Sequence, residues 1–305
     1  MLEPIRPLGL LNTDYLKRVN IVVIGAGGTG GYVIQYLCRL LYAFSASGDV
    51  RVSLVVMDGD TVEDANLLRQ HFLNRDVGRP KASVLAERFG TIYELPVMAI
   101  PQYLTSEEGL DEILTSPLQS KREVWPNRKS YYESHPLDII IGCVDNHATR
   151  QLLDRIFNRF AHLVYIDAGN DGVYLSEDPD EAETVRTSGY GGHVVVGVKE
   201  AGHVELPPVG TVFPDILTDT ESVLPGHACG QQAVSQPQRM ITNVWAAMTV
   251  VSAVNSILAD KMLTWHFANF NAQNATVRSQ ALTASYYEEI QRSAAELETQ
   301  VASAG

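Results

Sequence analysis

Gly25-Ala26-Gly27-Gly28-Thr29-Gly30 follows the apolar run Asn20–Ile24 and precedes residues with helical apolar spacing, Tyr32–Phe44. Glycine is needed where a turn is tight and where backbone must approach a phosphate closely. The start of the following helix then offers free N–H groups and a partial positive charge. This pattern alone indicates a bound nucleotide, with a dinucleotide oxidoreductase as the default and a ligand-free glycine turn as the plain alternative.

The residues that follow change that default. Asp58 ends a second apolar run, Val52–Met57, where an acid can hold ribose hydroxyls. The chain continues through Asp58-Gly59-Asp60-Thr61-Val62, Asn66-Leu67-Leu68-Arg69-Gln70 and Val77-Gly78-Arg79-Pro80-Lys81. A triphosphate needs cations such as Arg69 and Lys81 to neutralise it, whereas a nicotinamide pyrophosphate can rely on the glycine turn. Taken singly, either cation reads as a solvated surface residue. Cys143-Val144-Asp145-Asn146 ends another apolar run, at the sheet edge where ligands bind in open α/β folds. Asp145 can hold Mg2+, which takes one or two carboxylates together with phosphate oxygens. Asp145 or Asn146 can equally cap the helix that follows. Arg150, in that helix's first turn, either faces the same cleft or pairs at the surface.

A fourth candidate is Cys229, in Pro225-Gly226-His227-Ala228-Cys229-Gly230. If His227 converges on it, the thiol becomes a thiolate nucleophile. A small buried loop residue is the alternative. Cys38 and Cys143 read as core residues.

These side chains must be carried by regular elements. Strands are expected at Asn20–Ile24, Val52–Met57, Val97–Ile100, Asp138–Cys143 and Leu163–Asp167, and helices at Tyr32–Phe44, Pro80–Phe89 and His147–Phe160. Their alternation predicts an α/β chain with a Rossmann-like, doubly wound, mostly parallel sheet. Residues 1–170 form the nucleotide-binding core in this reading. Residues 171–284 form a smaller, irregular, β-containing C-terminal portion with crossover or lid loops, a long packing helix at Gln238–Ala259 and a terminal strand or hairpin at His266–Arg278. Residues 285–305 are a polar, helix-prone tail, and Ser116–Ser134 an exposed excursion.

Bulk properties exclude several classes. The 305-residue chain carries a formal charge of −13, which opposes binding to nucleic acid or to an anionic membrane. Its three cysteines show no C-x-x-C spacing, so neither a disulfide framework nor a zinc site built from cysteine pairs is expected, and a reduced, cytoplasmic setting fits. The first residues lack a signal-peptide core. Ile241–Leu258 is apolar but interrupted by Thr242, Asn243, Thr249, Ser252, Asn255 and Ser256, which predicts a buried helix rather than a membrane span.

In combination, G-x-G-G-x-G, D-x-D-x-V-x-x-x-N-L-x-R-Q, G-x-x-K and C-x-D-N resemble the ThiF/MoeB/ubiquitin-activating adenylation domain over about residues 18–170. The glycine spacing and C-terminal half look most like bacterial accessory-operon members. The resemblance implies ATP at Gly25, Gly27, Gly28 and Gly30, with the ribose on Asp58. It places Arg69 and Lys81 on the phosphates, Asn66 and Gln70 beside them, and Mg2+ on Asp145. It also implies a homodimer that adenylates the C-terminal carboxylate of a ubiquitin-like protein with an exposed tail. Transfer to Cys229 as a thioester would follow, and then a conjugating-enzyme-like partner. Two features depart from the family. Leu11–Arg18 reads LNTDYLKR where the family often carries R-Y-x-R-Q with a trans-acting arginine, leaving Arg6 and Arg18 as weak substitutes, and the C-x-x-C zinc pairs are absent. The alternatives are adenylation of a sulfur-carrier protein, a small molecule or a peptide, an NAD-dependent oxidoreductase, and a non-catalytic scaffold.

Overall fold

The structure is a computed structural model that describes residues 3–9, 18–47, 50–115, 136–226 and 237–293. Its strands are β1 (Leu8–Gly9), β2 (Arg18–Ile24), β3 (Arg51–Met57), β4 (Val97–Ile100), β5 (Leu137–Gly142), β6 (Leu163–Asn170), β7 (Gly191–Glu200), β8 (His203–Leu206), β9 (Met262–Leu263), β10 (Trp265–Asn271) and β11 (Thr276–Ala281). The principal helices are α1 (Gly28–Ser47), α2 (Lys81–Tyr93), α3 (Glu107–Thr115), α4 (His147–Arg159) and α5 (Met240–Asn255).

Among the described residues one nine-stranded sheet runs β11-β10-β7-β6-β5-β2-β3-β4, with β8 paired to β7. Strands β2 to β6 are mutually parallel, as a chain of strand–helix alternations requires. Val19, Ile21, Val22 and Val23 of β2 are all buried, because helices cover both faces of the sheet there. The antiparallel strands β7, β10 and β11 extend the same sheet beyond β6.

The chain winds from β2 outward through β3 to β4, then returns to the opposite side of β2 with β5 and β6. This reversal leaves a crevice beyond the carboxyl ends of β2 and β5, the place where open α/β sheets bind ligands. One apolar layer joins the sheet to residues of α1, α2 and α5, such as Leu37, Leu85 and Val250. The layer on the other face includes Leu110 of α3, Leu152 and Phe157 of α4, and Val209 and Ile216 of two short helices.

Helix α5 continues as a π-helical turn to Asp260, and Met240–Asp260 is long and apolar enough for a membrane span by composition. Here it packs on α1, β6 and β7, and Thr242, Asn243 and Thr249 bond within the protein while Ser252 is exposed. Thr242 donates to the Gly189 carbonyl at 2.7 Å, and Asn243 is buried among polar partners.

The structure adds elements that the sequence pattern left unassigned. Helix α3 is only nine residues long and starts where Ser106 Oγ accepts from the Gly109 amide. Such a short amphipathic turn gives little periodic signal. Strand β8 and the short helices Val209–Val212 and Asp215–Thr218 occupy what the composition marks as loop. Residues 284–293 are helical, as expected for the start of the tail. The excursion over Ser116–Ser134 lies outside the described residues.

Candidate functional site

The glycine loop sits at the switch point because β2 ends at Ile24 and α1 begins at Gly28. Gly25 has φ +96°, and a Cβ there would lie 2.4 Å from the Cys143 carbonyl oxygen. A Cβ on Gly30 would lie 1.9 Å from the Gly25 carbonyl oxygen, and one on Gly28 2.3 Å from Asn243 Nδ2. Protein neighbours therefore demand glycine at these three positions. Gly27 differs, since a Cβ there would meet only Gln70 Nε2, 3.9 Å away. Its open face is the side on which a phosphate can approach. No acid stands in the first turn of α1, a helix start whose N–H groups would suit an anion.

Asp58 joins the loop to the next strand. Its Oδ2 accepts from the Ala26 amide at 2.5 Å and its Oδ1 from the Asp60 amide at 2.7 Å. Burial, then the neighbouring Asp60 charge, push its carboxyl up to about 6, against the pull of these two amides and of Lys81.

Lys81 reaches the same edge through a backbone clasp. Thr61 bridges Pro80, Val62 N donates to Arg79 O, and Lys81 N donates to Asp60 O. With its backbone fixed there, Lys81 Nζ donates to Asp60 Oδ2 at 2.8 Å. Lys81 is buried while the Asp60 side chain is about half exposed. The Tyr103 hydroxyl donates to the other oxygen, Asp60 Oδ1. Asp60 is held below the usual carboxylate range by Lys81 and Tyr103, although burial pulls the other way.

Asp145 lies in the turn between β5 and α4. The helix cap is supplied by Asn146, whose Oδ1 accepts from Thr149 N at 2.8 Å. The Asp145 side chain is thereby left exposed rather than spent on capping. Its charge acts on Tyr103 together with those of Asp60 and Asp58, which ties the three acids to one region. A single free carboxylate suits an ion that arrives already bound to phosphates. No cluster of three or more His, Cys, Asp or Glu able to hold a metal is found among the described residues.

Gln70 lies beside Gly27, and its Oε1 is buried without a partner. Asn66 is buried, with Oδ1 accepting from Glu63 N to close a short 3-10 turn. Arg69, in the next turn, is partly exposed. Arg150 does not pair at the surface. It is buried, with Nε donating to Asp167 Oδ1 at 3.0 Å and Nη2 to the Val144 and Ala168 carbonyls. Tyr165 Oη also donates to Asp167. Cys38 is a core thiol, as expected, whereas Cys143 is only partly buried against the core; burial drives the first up to about 12 and also raises the second. Cys229, His227 and the segment 10–17 lie outside the described residues.

Several participants carry no local sequence signal. Asn243 Oδ1 accepts from Thr29 Oγ1 at 3.0 Å and from Asn170 Nδ2 at 2.8 Å, which fastens α5 to the glycine loop. Segment 215–222 docks on the start of α4: Gln151 Nε2 donates to the Ile216 and Asp219 carbonyls, the Ala148 amide donates to Ser222 Oγ, and His147 pairs with Asp219. It thus borders the Asp145 turn.

Comparison with known proteins gives one family and a set of partial relatives. The sequence profile described as the ThiF family matches residues 2–289. A sulfur carrier protein adenylyltransferase of Thermus thermophilus is 38% identical over 143 residues, covering 46% of this chain and 42% of that protein. A ubiquitin-like modifier-activating enzyme 5 of Dictyostelium discoideum is 23% identical over 155 residues, covering 50% and 36% respectively. The match thus spans less than half the length of either relative. Escherichia coli MccB, solved with AMPCPP and MccA, superposes with a TM-score of 0.53 at 18% identity, over 90% of this chain and 66% of that one. That likeness is one of fold.

Proposed function

The chain belongs to the ThiF family, and from that premise we propose that the crevice beyond β2 and β5 adenylates a C-terminal carboxylate at the expense of ATP. One observation carries the reading. A connected series of contacts from the Ala26 amide through Asp58 and Asp60 to Lys81 gathers a loop open at Gly27, two carboxylates and a buried ammonium at one sheet edge. A nicotinamide dinucleotide, whose pyrophosphate can rely on the glycine turn, makes less demand on that cation than a triphosphate does.

In this proposal the amides of Gly27 and the first turn of α1 cradle phosphates, and Asp58 accepts from the ribose hydroxyls. Lys81 and Arg69 neutralise charge on the triphosphate, with Gln70 beside them. An oxygen of the acyl carboxylate attacks the α-phosphorus, a new P–O bond forms, and the bond to the bridging oxygen of pyrophosphate breaks. The attacking group is already ionised at neutral pH, so no general base is required. Positioning and charge neutralisation therefore carry the rate. The exposed Asp145 fits Mg2+, which would supply further neutralisation of the phosphates when bound. Segment 215–222, docked beside Asp145, would shield the acyl-adenylate from water.

The finer assignments belong to the same proposal. The acceptor is a ubiquitin-like protein, a reading supported by the name of the Dictyostelium relative. A sulfur-carrier partner is the second reading, favoured by the name of the Thermus relative. Transfer to Cys229, a conjugating-enzyme-like partner downstream, a cytoplasmic setting and a homodimer complete it. Leu68, 92% exposed beside Arg69, and Met240 and Met248 are apolar side chains that a second copy would cover.

The test is ATP–pyrophosphate exchange with candidate carrier proteins bearing exposed C-terminal tails. Exchange is expected in the wild type and should be lost in Lys81→Ala. Full exchange in Asp145→Ala would remove the metal role. A thiol-sensitive adduct that survives Cys229→Ala would remove the second step.

A further inference from the structure

Tyr103 stands against the nucleotide side of the crevice, yet no motif marks it. Its ring lies on the backbone of Gly59, where a Cβ would come within 2.5 Å of the ring carbons. A Cβ on Gly226 would sit 3.2 Å from the same ring. The ring is therefore bordered by the turn after β3 and by a residue of the C-terminal half. Its hydroxyl donates to Asp60 Oδ1, while Lys81 donates to Asp60 Oδ2 at 2.8 Å. One carboxylate thus serves two donors, one on each oxygen.

We propose that Tyr103 is a positioning residue that sets how readily Asp60 releases Lys81 to a triphosphate. The inference rests on the nucleotide reading given above. For Lys81 to reach phosphate it must leave Asp60, which then loses its cation. The Tyr103 hydroxyl stays on Oδ1, fixes the carboxylate and disperses part of its charge. Burial and the surrounding carboxylates of Asp60, Asp58 and Asp145 keep the phenol protonated, so it remains a donor throughout. Without that hydroxyl the carboxylate is free to turn both oxygens toward Lys81 and hold it more tightly.

Tyr103→Phe keeps the ring on Gly59 and removes only the donor. The experiment measures binding of ATP and of adenosine to the full chain by calorimetry, in wild type, Tyr103→Phe, Lys81→Ala and the double variant, with thermal melts as a folding control. ATP affinity is expected to fall about tenfold in Tyr103→Phe, the scale of one charge-assisted hydrogen bond. Adenosine affinity should be unchanged, because adenosine makes no demand on Lys81. In the Lys81→Ala background the Tyr103→Phe change should have no further effect on ATP. Equal loss for ATP and adenosine, an undiminished effect in the Lys81→Ala background, or wild-type ATP affinity in Tyr103→Phe would each overturn the proposal. If wild type binds no ATP, the nucleotide reading itself fails, and this inference with it.

Discussion

Lys81 Nζ and Asp60 Oδ2 lie 2.8 Å apart across 21 positions of sequence. The ammonium is almost enclosed, whereas the carboxylate is open to solvent on one side. A half-open pair is weak, because water screens it, and a triphosphate offers more negative charge than one carboxylate. Nucleotide should therefore displace Asp60 as the partner of Lys81.

The first prediction follows from that asymmetry. Lys81→Met should change the stability of the ligand-free protein by less than about 1 kcal/mol, since Tyr103 still serves Asp60. It should nevertheless abolish most of the rise in Tm produced by ATP and Mg2+ in the wild type. Thermal melts with and without nucleotide read both quantities. An undiminished ATP-induced rise would mean that Lys81 does not meet phosphate.

Asp58 gives a pH prediction. Its folded-state carboxyl stands near 6, above the ordinary 3.8, chiefly because of burial. In the ligand-free protein its contribution to stability is therefore fully present below about 4 and is lost as pH rises through about 6. Ribose hydroxyls donating to Asp58 favour the ionised form, so nucleotide affinity should be full above about pH 6 and fall below it. The ratio of ATP to 2′,3′-dideoxy-ATP affinity cancels titration of the phosphates. That ratio should shrink between about pH 7 and pH 5, and a flat ratio would take Asp58 off the ribose.

The glycine loop separates folding from binding. Gly30→Ala forces a methyl onto the Gly25 carbonyl and should destabilise the protein by about 1–3 kcal/mol or more. Gly27→Ala meets only Gln70 Nε2, at an ordinary contact distance of 3.9 Å, so its Tm should stay near wild type while ATP affinity falls. Urea unfolding and calorimetry on the two variants check the contrast. Unimpaired ATP binding by Gly27→Ala would show that phosphate does not approach there.

Arg150 and Asp167 form a buried ion pair that also holds the Val144 carbonyl, one residue before Asp145. Arg150→Met should cost about 3–5 kcal/mol by stranding a fully buried carboxylate. Arg150→Met with Asp167→Leu should recover much of that loss, because no unpaired charge remains. Denaturant midpoints measure both. A single variant within about 0.5 kcal/mol of wild type would contradict this role for the pair.

The parallel strands were legible because burial on both faces writes near-continuous apolar runs, as in Asn20–Ile24 and Asp138–Cys143. The glycine loop was legible because it falls between such a run and a helix. Neither signal could reveal Asn243, which reads as a polar interruption in an apolar helix. Its partner Thr29 is 214 positions away, and only the packing of α5 on α1 brings them together. Tyr103 lies in an irregular stretch after β4, where no periodicity distinguishes a site residue from a surface aromatic. Arg150 could not be assigned because its partner Asp167 is set by the register of β6 beside β5. Asp60 was visible within D-x-D, but its tie to Lys81 depends on the clasp between residues 60–62 and 78–81.

Calorimetric titration of the full chain with ATP and with NAD+, each with and without Mg2+, tests the central claim most directly. ATP should bind more tightly than NAD+. Mg2+ should strengthen ATP binding in the wild type but not in Asp145→Asn, and Arg69→Ala and Lys81→Ala should each weaken it. NAD+ bound as tightly as ATP, or an ATP affinity indifferent to the combined loss of Arg69, Lys81 and Asp145, would contradict the account.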